Sequence, residues 1–144
     1  GGTHNVPAIV GCGAAFARID EEYLSTIPIK TALRDRFEQT LEAKLGAEIN
    51  GKRVDRVWNT SNLSFPGISA EVLLVRLDQA GIAASRGSAC TAGSTKPSYV
   101  LLAMGLERDR VLSSLRFSFL PSVTEEEIDR AIEIIQECVA KLRK

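Results

Sequence analysis

The sequence predicts an α+β fold: a small sheet of about three strands with helices packed mainly on one face. Two observations lead there. The order of periodic segments is helix, helix, strand, helix, strand, loop, helix, strand, helix, which is not an alternation of βα units. The helical stretches each carry one apolar stripe, so each needs a layer to cover it. At 144 residues with 44% hydrophobic content, the chain is long enough to bury a core as one domain, or one and a little.

Val6 to Tyr23 repeats Ile9, Cys12, Phe16, Ile19 and Tyr23 at steps of three and four, which predicts an amphipathic helix with Pro7 in its first turn. Pro28 interrupts. A second helix is expected from about Ile29 to Leu45, with Leu33, Phe37, Leu41 and Leu45 on one face and Gly46 ending it. Asn50-Gly51 is a hairpin signal, and Val57 to Phe65 alternates as a strand that is unusually polar. The side chains of Asn59, Thr60, Ser61 and Asn62 are expected to satisfy loop backbone nearby.

Ser69 caps a helix to about Ala80, with Leu73, Leu74 and Leu77 inward and Gly81 as its stop. Ile82 to Ser85 reads as a short strand and Pro97 to Met104 as a short helix closed by Gly105. Val111 to Phe119 reads as a strand with Leu115, Phe117 and Phe119 on one face and Arg116 and Ser118 on the other. Thr124 with Glu127 forms a capping box, and Ile128, Ile132, Ile135, Val139 and Leu142 make the cleanest apolar stripe of the chain.

The charge balance excludes some functions. Lys plus Arg number 18 and Asp plus Glu number 18, so nothing draws the chain to nucleic acid or an anionic membrane. No apolar run approaches the roughly 20 residues that span a bilayer, and no signal segment opens the chain. Three dispersed cysteines and one histidine fit neither a disulfide framework nor a zinc site. These features predict a soluble protein of a reducing compartment, the cytoplasm. The chain starts at Gly1 without Met, as a fragment or processed piece would.

Cys90 is the leading candidate for chemistry. It lies in Ser85-Arg86-Gly87-Ser88-Ala89-Cys90-Thr91-Ala92-Gly93-Ser94, a run too small and polar to bury apolar area. An inert loop thiol is one reading. A sulfur nucleophile on a mobile arm is the other, favoured by Arg86, Lys96 and the helix start near Pro97, which all support thiolate. A thiol with a pKa near 8.5 is already on the order of a few per cent thiolate at pH 7. Cys12 and Cys138 are expected to be small buried apolar residues. Arg116, between Leu115 and Phe117, is either a cleft-facing carboxylate clamp or a solvent-facing cation. Val10-Gly11-Cys12-Gly13-Ala14-Ala15-Phe16 matches a dinucleotide fingerprint poorly, because Phe16 stands where close packing needs a small residue.

Several stretches stand in one order: Gly2-Thr3 with Asn5-Val6-Pro7, Asn59-Thr60-Ser61-Asn62-Leu63-Ser64-Phe65-Pro66-Gly67, and Ser88-Ala89-Cys90-Thr91 with Gly93-Ser94 and Pro97-Ser98-Tyr99-Val100-Leu101. Leu115-Arg116-Phe117-Ser118 and Thr124-Glu125-Glu126-Glu127-Ile128-Asp129 complete the set. Together they resemble the cysteine desulfurases of the NifS/IscS type. The resemblance spans the chain and implies the C-terminal small domain of a fold-type-I pyridoxal-phosphate enzyme. That family moves sulfur from L-cysteine to an enzyme cysteine as a persulfide and releases L-alanine. By position, Cys90 would be the persulfide carrier, Arg116 the substrate-carboxylate arginine, and Thr3 the threonine reaching the cofactor phosphate across a homodimer interface.

The resemblance further implies a leading segment and linking helix over 1–28, a compact domain over 29–144, and a large domain outside this chain. An iron–sulfur scaffold or other sulfur acceptor would be a partner. Two departures stand out. Phe119-Leu120-Pro121-Ser122 replaces the family's usual Leu-Gly-Arg continuation, and no Ser-x-His-Lys cofactor-lysine motif is present. The chain alone is therefore expected to be inactive. The alternative is a free-standing sulfur-acceptor or docking module that carries persulfide without pyridoxal-phosphate chemistry.

Overall fold

The computed structural model describes residues 1–87 and 97–143, without the side chains of Glu21 and Glu22. The expected three-stranded sheet is present and wholly antiparallel. Strand β1 (Glu48–Ile49) pairs with β2 (Thr60–Ser64), and β2 pairs with β3 (Ser114–Ser118). Side chains alternate across a strand. One face therefore carries Ile49, Ser61, Leu63, Leu115 and Phe117, all buried, and the other carries Asn62, Ser64, Ser114 and Arg116.

The apolar face is covered by helices α3 (Ile27–Leu45), α4 (Ala70–Gln79) and α7 (Glu125–Leu142). Helix α7 behaves as its stripe dictates: Ile128, Ile132, Ile135 and Val139 are buried, and Thr124 and Glu127 make both halves of the capping box. Phe37 of α3 meets Phe117 and Phe119 edge-on, each at a centroid separation of 5.3 Å, tying that helix to the sheet. Gly46 takes a left-handed φ of 64° at the end of α3, as the sequence predicts. Cys138 is buried as expected, with its thiol 3.8 Å from the Arg76 carbonyl.

Several expectations are corrected. The first helix is not continuous to Tyr23. Helix α1 (Val6–Ala17) ends at Arg18, and Asp20 caps a separate α2 (Glu21–Ser25) by accepting from Tyr23 N at 2.9 Å. No residue of α1 is buried, so Cys12 is exposed. Its apolar residues surround the helix, and nothing in the described chain covers them. The break expected at Pro28 falls at Thr26, so α3 starts two residues early and Pro28 sits in its first turn, where its missing N–H is no loss.

Asn50-Gly51 is a turn, with Gly51 at φ 75°, but not a two-residue hairpin, since β1 reaches β2 through the whole of 50–59. The strand expected from Val57 starts only at Thr60. Ile82 to Ser85 contributes one bridge, Ser85 to Arg116, rather than a strand. The short helix α5 (Tyr99–Ala103) is capped by Ser98, which leaves Pro97 ahead of it. Val111 and Leu112 belong to helix α6 (Arg108–Leu112), so β3 is shorter than expected. An apolar pair such as Val111-Leu112 suits a buried helix turn as well as a strand.

Candidate functional site

The polar face of the sheet carries Arg116, one of the three candidate residues. Arg116 is central in β3, directly opposite Asn62 of β2. On its other side it exchanges both backbone hydrogen bonds with Ser85, at 2.9 and 2.7 Å. The residues that lead into the cysteine loop are thus stitched to the backbone of Arg116. The Arg116 side chain is half-buried, and its Nε is fully buried with no hydrogen-bond partner among the described residues. An unpaired buried guanidinium donor costs free energy unless a ligand or another chain supplies an acceptor. Ser61 Oγ, on the apolar face, is also buried and unpartnered. Nothing in its surroundings explains it.

Beside Arg116 a chain of hydrogen bonds runs through buried Asn50. Arg110 Nη1 pairs with Glu48 at 2.9 Å, and Arg110 Nε donates to Asn50 Oδ1 at 2.8 Å. Asn50 Nδ2 donates to Ser114 Oγ at 2.9 Å and to Asn62 Oδ1 at 2.7 Å. The polar strand therefore spends its Asn62 side chain on another side chain, not on loop backbone as the sequence suggests. Ser64 and Ser113 complete the face with a hydroxyl pair at 2.6 Å.

A second polar cluster lies at the flank of α3. Arg56 grips the buried Glu38 with two hydrogen bonds, at 2.6 and 2.7 Å, and Arg34 donates to Val57 O at 2.7 Å. The hydrogen bonds to Glu38 raise the Arg56 pKa, against the burial that lowers it. These contacts fasten 50–59 onto α3, which fixes the approach to β2.

Of the three candidate residues, only Arg116 lies in the described core. Thr3 is exposed ahead of α1, and no hydrogen bond joins it to Arg116. Cys90 lies outside the described residues, as does Lys96. Arg86 pairs with Glu71 at 3.2 Å and lines a groove of about 430 Å³ with Ser69, Asp109 and Ser113. The short α5 starts at Tyr99, with Leu101 N taken by the Ser98 hydroxyl. The Gly11–Gly13 run lies within α1 and follows no strand, which removes the context a dinucleotide fingerprint needs. Among the described residues no group of three His, Cys, Asp or Glu could hold a metal ion. No helix there is long and apolar enough to cross a membrane. Sequence reasoning missed Asn50 and Arg110. Asn50 was visible only as half of a turn signal, and Arg110 stood in a stretch adjoining a misread strand.

The similarities to known proteins agree with this layout. The model of the aminotransferase class-V family matches residues 1–131. A cysteine desulfurase of Nostoc sp. is 49% identical over 99% of this chain, and cysteine desulfurase IscS of Pasteurella multocida is 43% identical over 99%. The chain spans 36% and 35% of those relatives, so it corresponds to about a third of their length. A NifS-like protein superposes with a TM-score of 0.85 at 32% identity, covering 99% of this chain and 36% of that one. A NifS-like protein from Rickettsia africae gives 0.77 at 29%, covering 96% and 36%. Motif order, fold and sequence identity converge, and the chain belongs to the aminotransferase class-V family.

Proposed function

We propose that this chain is the small-domain part of a cysteine desulfurase, with 29–144 as the domain and 1–28 as its leading and linking segment. The complete enzyme takes sulfur from L-cysteine onto Cys90 as a persulfide and releases L-alanine. The observation that carries the reading is the buried, unpartnered Arg116 Nε on the polar face, next to the Ser85 segment that leads to Cys90. A rigid strand presents a planar donor fork of the kind that binds a carboxylate, which makes sulfur attack effectively intramolecular.

Pyridoxal phosphate is the cofactor the family implies, and it would supply an electron sink. Among the described residues no lysine fits it. Lys30 donates to Val123 O at 2.6 Å, Lys52 pairs with Glu42 at 2.7 Å, and Lys44 and Lys141 stand in the last turns of α3 and α7. The chain's one histidine, His4, is followed by Asn5 rather than lysine. This chain's share is narrower. Arg116 holds the substrate carboxylate, the Cys90 thiolate forms the new S–S bond, and Thr3 offers a hydroxyl to a phosphate from an exposed arm. The partners of this reading are the enzyme's large domain, a second subunit, and a scaffold or other protein that accepts the sulfur in the cytoplasm.

The test is complementation. The large domain of a relative, supplied in trans with cofactor, L-cysteine and a thiol that reduces the persulfide, should restore alanine and sulfide production when this chain is added. Cys90→Ser should abolish the sulfide and leave cofactor absorbance intact. No restoration, with Cys90 still taking sulfur from another persulfide, would instead establish a sulfur-acceptor module.

A further inference from the structure

Asn62 and Arg116 face each other as a pair, and the ladder fixes what kind. Phe119 N bonds Asn59 O at 2.8 Å and Phe65 N bonds Ser113 O at 2.9 Å, so the bonded pairs fall at odd positions of β2. The Asn62–Arg116 pair is therefore non-hydrogen-bonded, the kind whose Cα atoms approach to about 4.5 Å and whose side chains stand closest.

The polarity of the Asn62 amide follows from its neighbours. An arginine can only donate, so the atom of Asn50 that meets Arg110 Nε must be its oxygen. Ser114 Oγ gives its own proton to Arg110 O at 2.7 Å, so it accepts from Asn50. Both constraints orient Asn50 the same way, and its Nδ2 is left to donate to Asn62 at 2.7 Å. The Asn62 oxygen is thus occupied, and its Nδ2 is turned away from Asn50. No group among the described residues accepts from that Nδ2, and the residue is only half-buried. Two unspent donors, Asn62 Nδ2 and Arg116 Nε, stand on adjacent strands of one face.

We infer that Asn62 is a second carboxylate-binding residue beside Arg116, and that Arg110 and Asn50 are positioning residues that hold its amide with the donor outward. The inference rests on the desulfurase reading for the identity of the carboxylate. It adds that selectivity for a free carboxylate is shared between a cation and a neutral amide of enforced polarity.

The experiment uses the complete enzyme and two probes, 3-mercaptopropionate and its methyl ester, with dissociation constants read by calorimetry. Asn62→Asp keeps the shape, replaces the donor by an acceptor, and should weaken the acid about tenfold while leaving the ester unchanged. Asn62→Ala should weaken the acid in the same selective way. Asn50→Asp still accepts from Arg110 but cannot donate, so Asn62 must turn its nitrogen inward and present oxygen. It should reproduce the selective loss of the acid seen in Asn62→Asp, with the ester unchanged. If Arg116→Ala loses the acid selectively but the Asn62 and Asn50 variants bind it like wild type, the inference is overturned and the desulfurase reading survives. If Arg116→Ala also binds acid and ester like wild type, both fall.

Discussion

The two faces of the sheet are built from the same strands by opposite means. Toward α3, α4 and α7, Leu63 and Leu115 are fully buried and Phe117 nearly so. Stability there comes from apolar area and close packing, which any residue of similar shape can supply. On the other face Asn50, Ser64 and Ser114 are just as inaccessible, yet are held by directional hydrogen bonds. Such a network adds little net stability, but each member is expensive to remove singly. The packed face sets where the strands lie. The polar face sets which way each donor points.

Substitutions that separate the faces make this contrast measurable by urea denaturation. The largest loss is expected for Phe117→Ala, about 4 kcal/mol, because it empties core volume beside Phe37. Asn50→Ala should cost about 2 kcal/mol by stranding Arg110 Nε and the Ser114 and Asn62 oxygens. A loss there as large as that of Phe117→Ala would show that the polar face carries stability like a core. Ser61→Ala should raise stability by about 1 kcal/mol, since it deletes a buried hydroxyl that has no partner. A destabilised Ser61→Ala would mean that this hydroxyl is satisfied in solution. Arg116→Ala should shift the unfolding free energy by less than about 0.5 kcal/mol while sharply raising the L-cysteine requirement of the complete enzyme. An unchanged requirement would overturn the proposed role of Arg116 in binding substrate.

What could be read from the sequence follows the same division. Helix α7 was legible in full, because one stripe and one capping box agree on a single answer. The placement of Leu115 and Phe117 on one face of β3 was legible from alternation, whereas the pairing of Leu115 with Leu63 was not. Helix α1 was legible as a helix but not in its surroundings. Val6, Ile9, Val10 and Phe16 are all more than half exposed, and periodicity cannot say whether a covering layer belongs to the same chain. The polar face resisted for another reason. The bond from Arg110 to Asn50 joins residues far apart in sequence, and hydrogen-bonding partners, unlike apolar stripes, leave no period. Arg116 could be named from its resemblance to a family motif, whereas its unpartnered Nε needed coordinates. The loop with Cys90 lies outside the described residues, so its chemistry rests on the sequence.

The turn at Asn50-Gly51 also has a bearing on how the protein ages. A glycine offers no side chain to hinder attack by its backbone nitrogen on the preceding asparagine amide, the step that converts asparagine to aspartate. Asn50 is 4% exposed and its amide is bonded on both atoms, so the folded state shields the residue. Each excursion to the unfolded state removes the shield. Material stored under mild denaturing stress should accumulate aspartate at position 50, detectable by peptide mapping. Peptide maps in which Asn50 converts no faster than Asn5 would show that the turn is not a weak point. Where it does convert, Asn62 loses the donor that fixes its amide, and the polar face is expected to rearrange before the fold is lost.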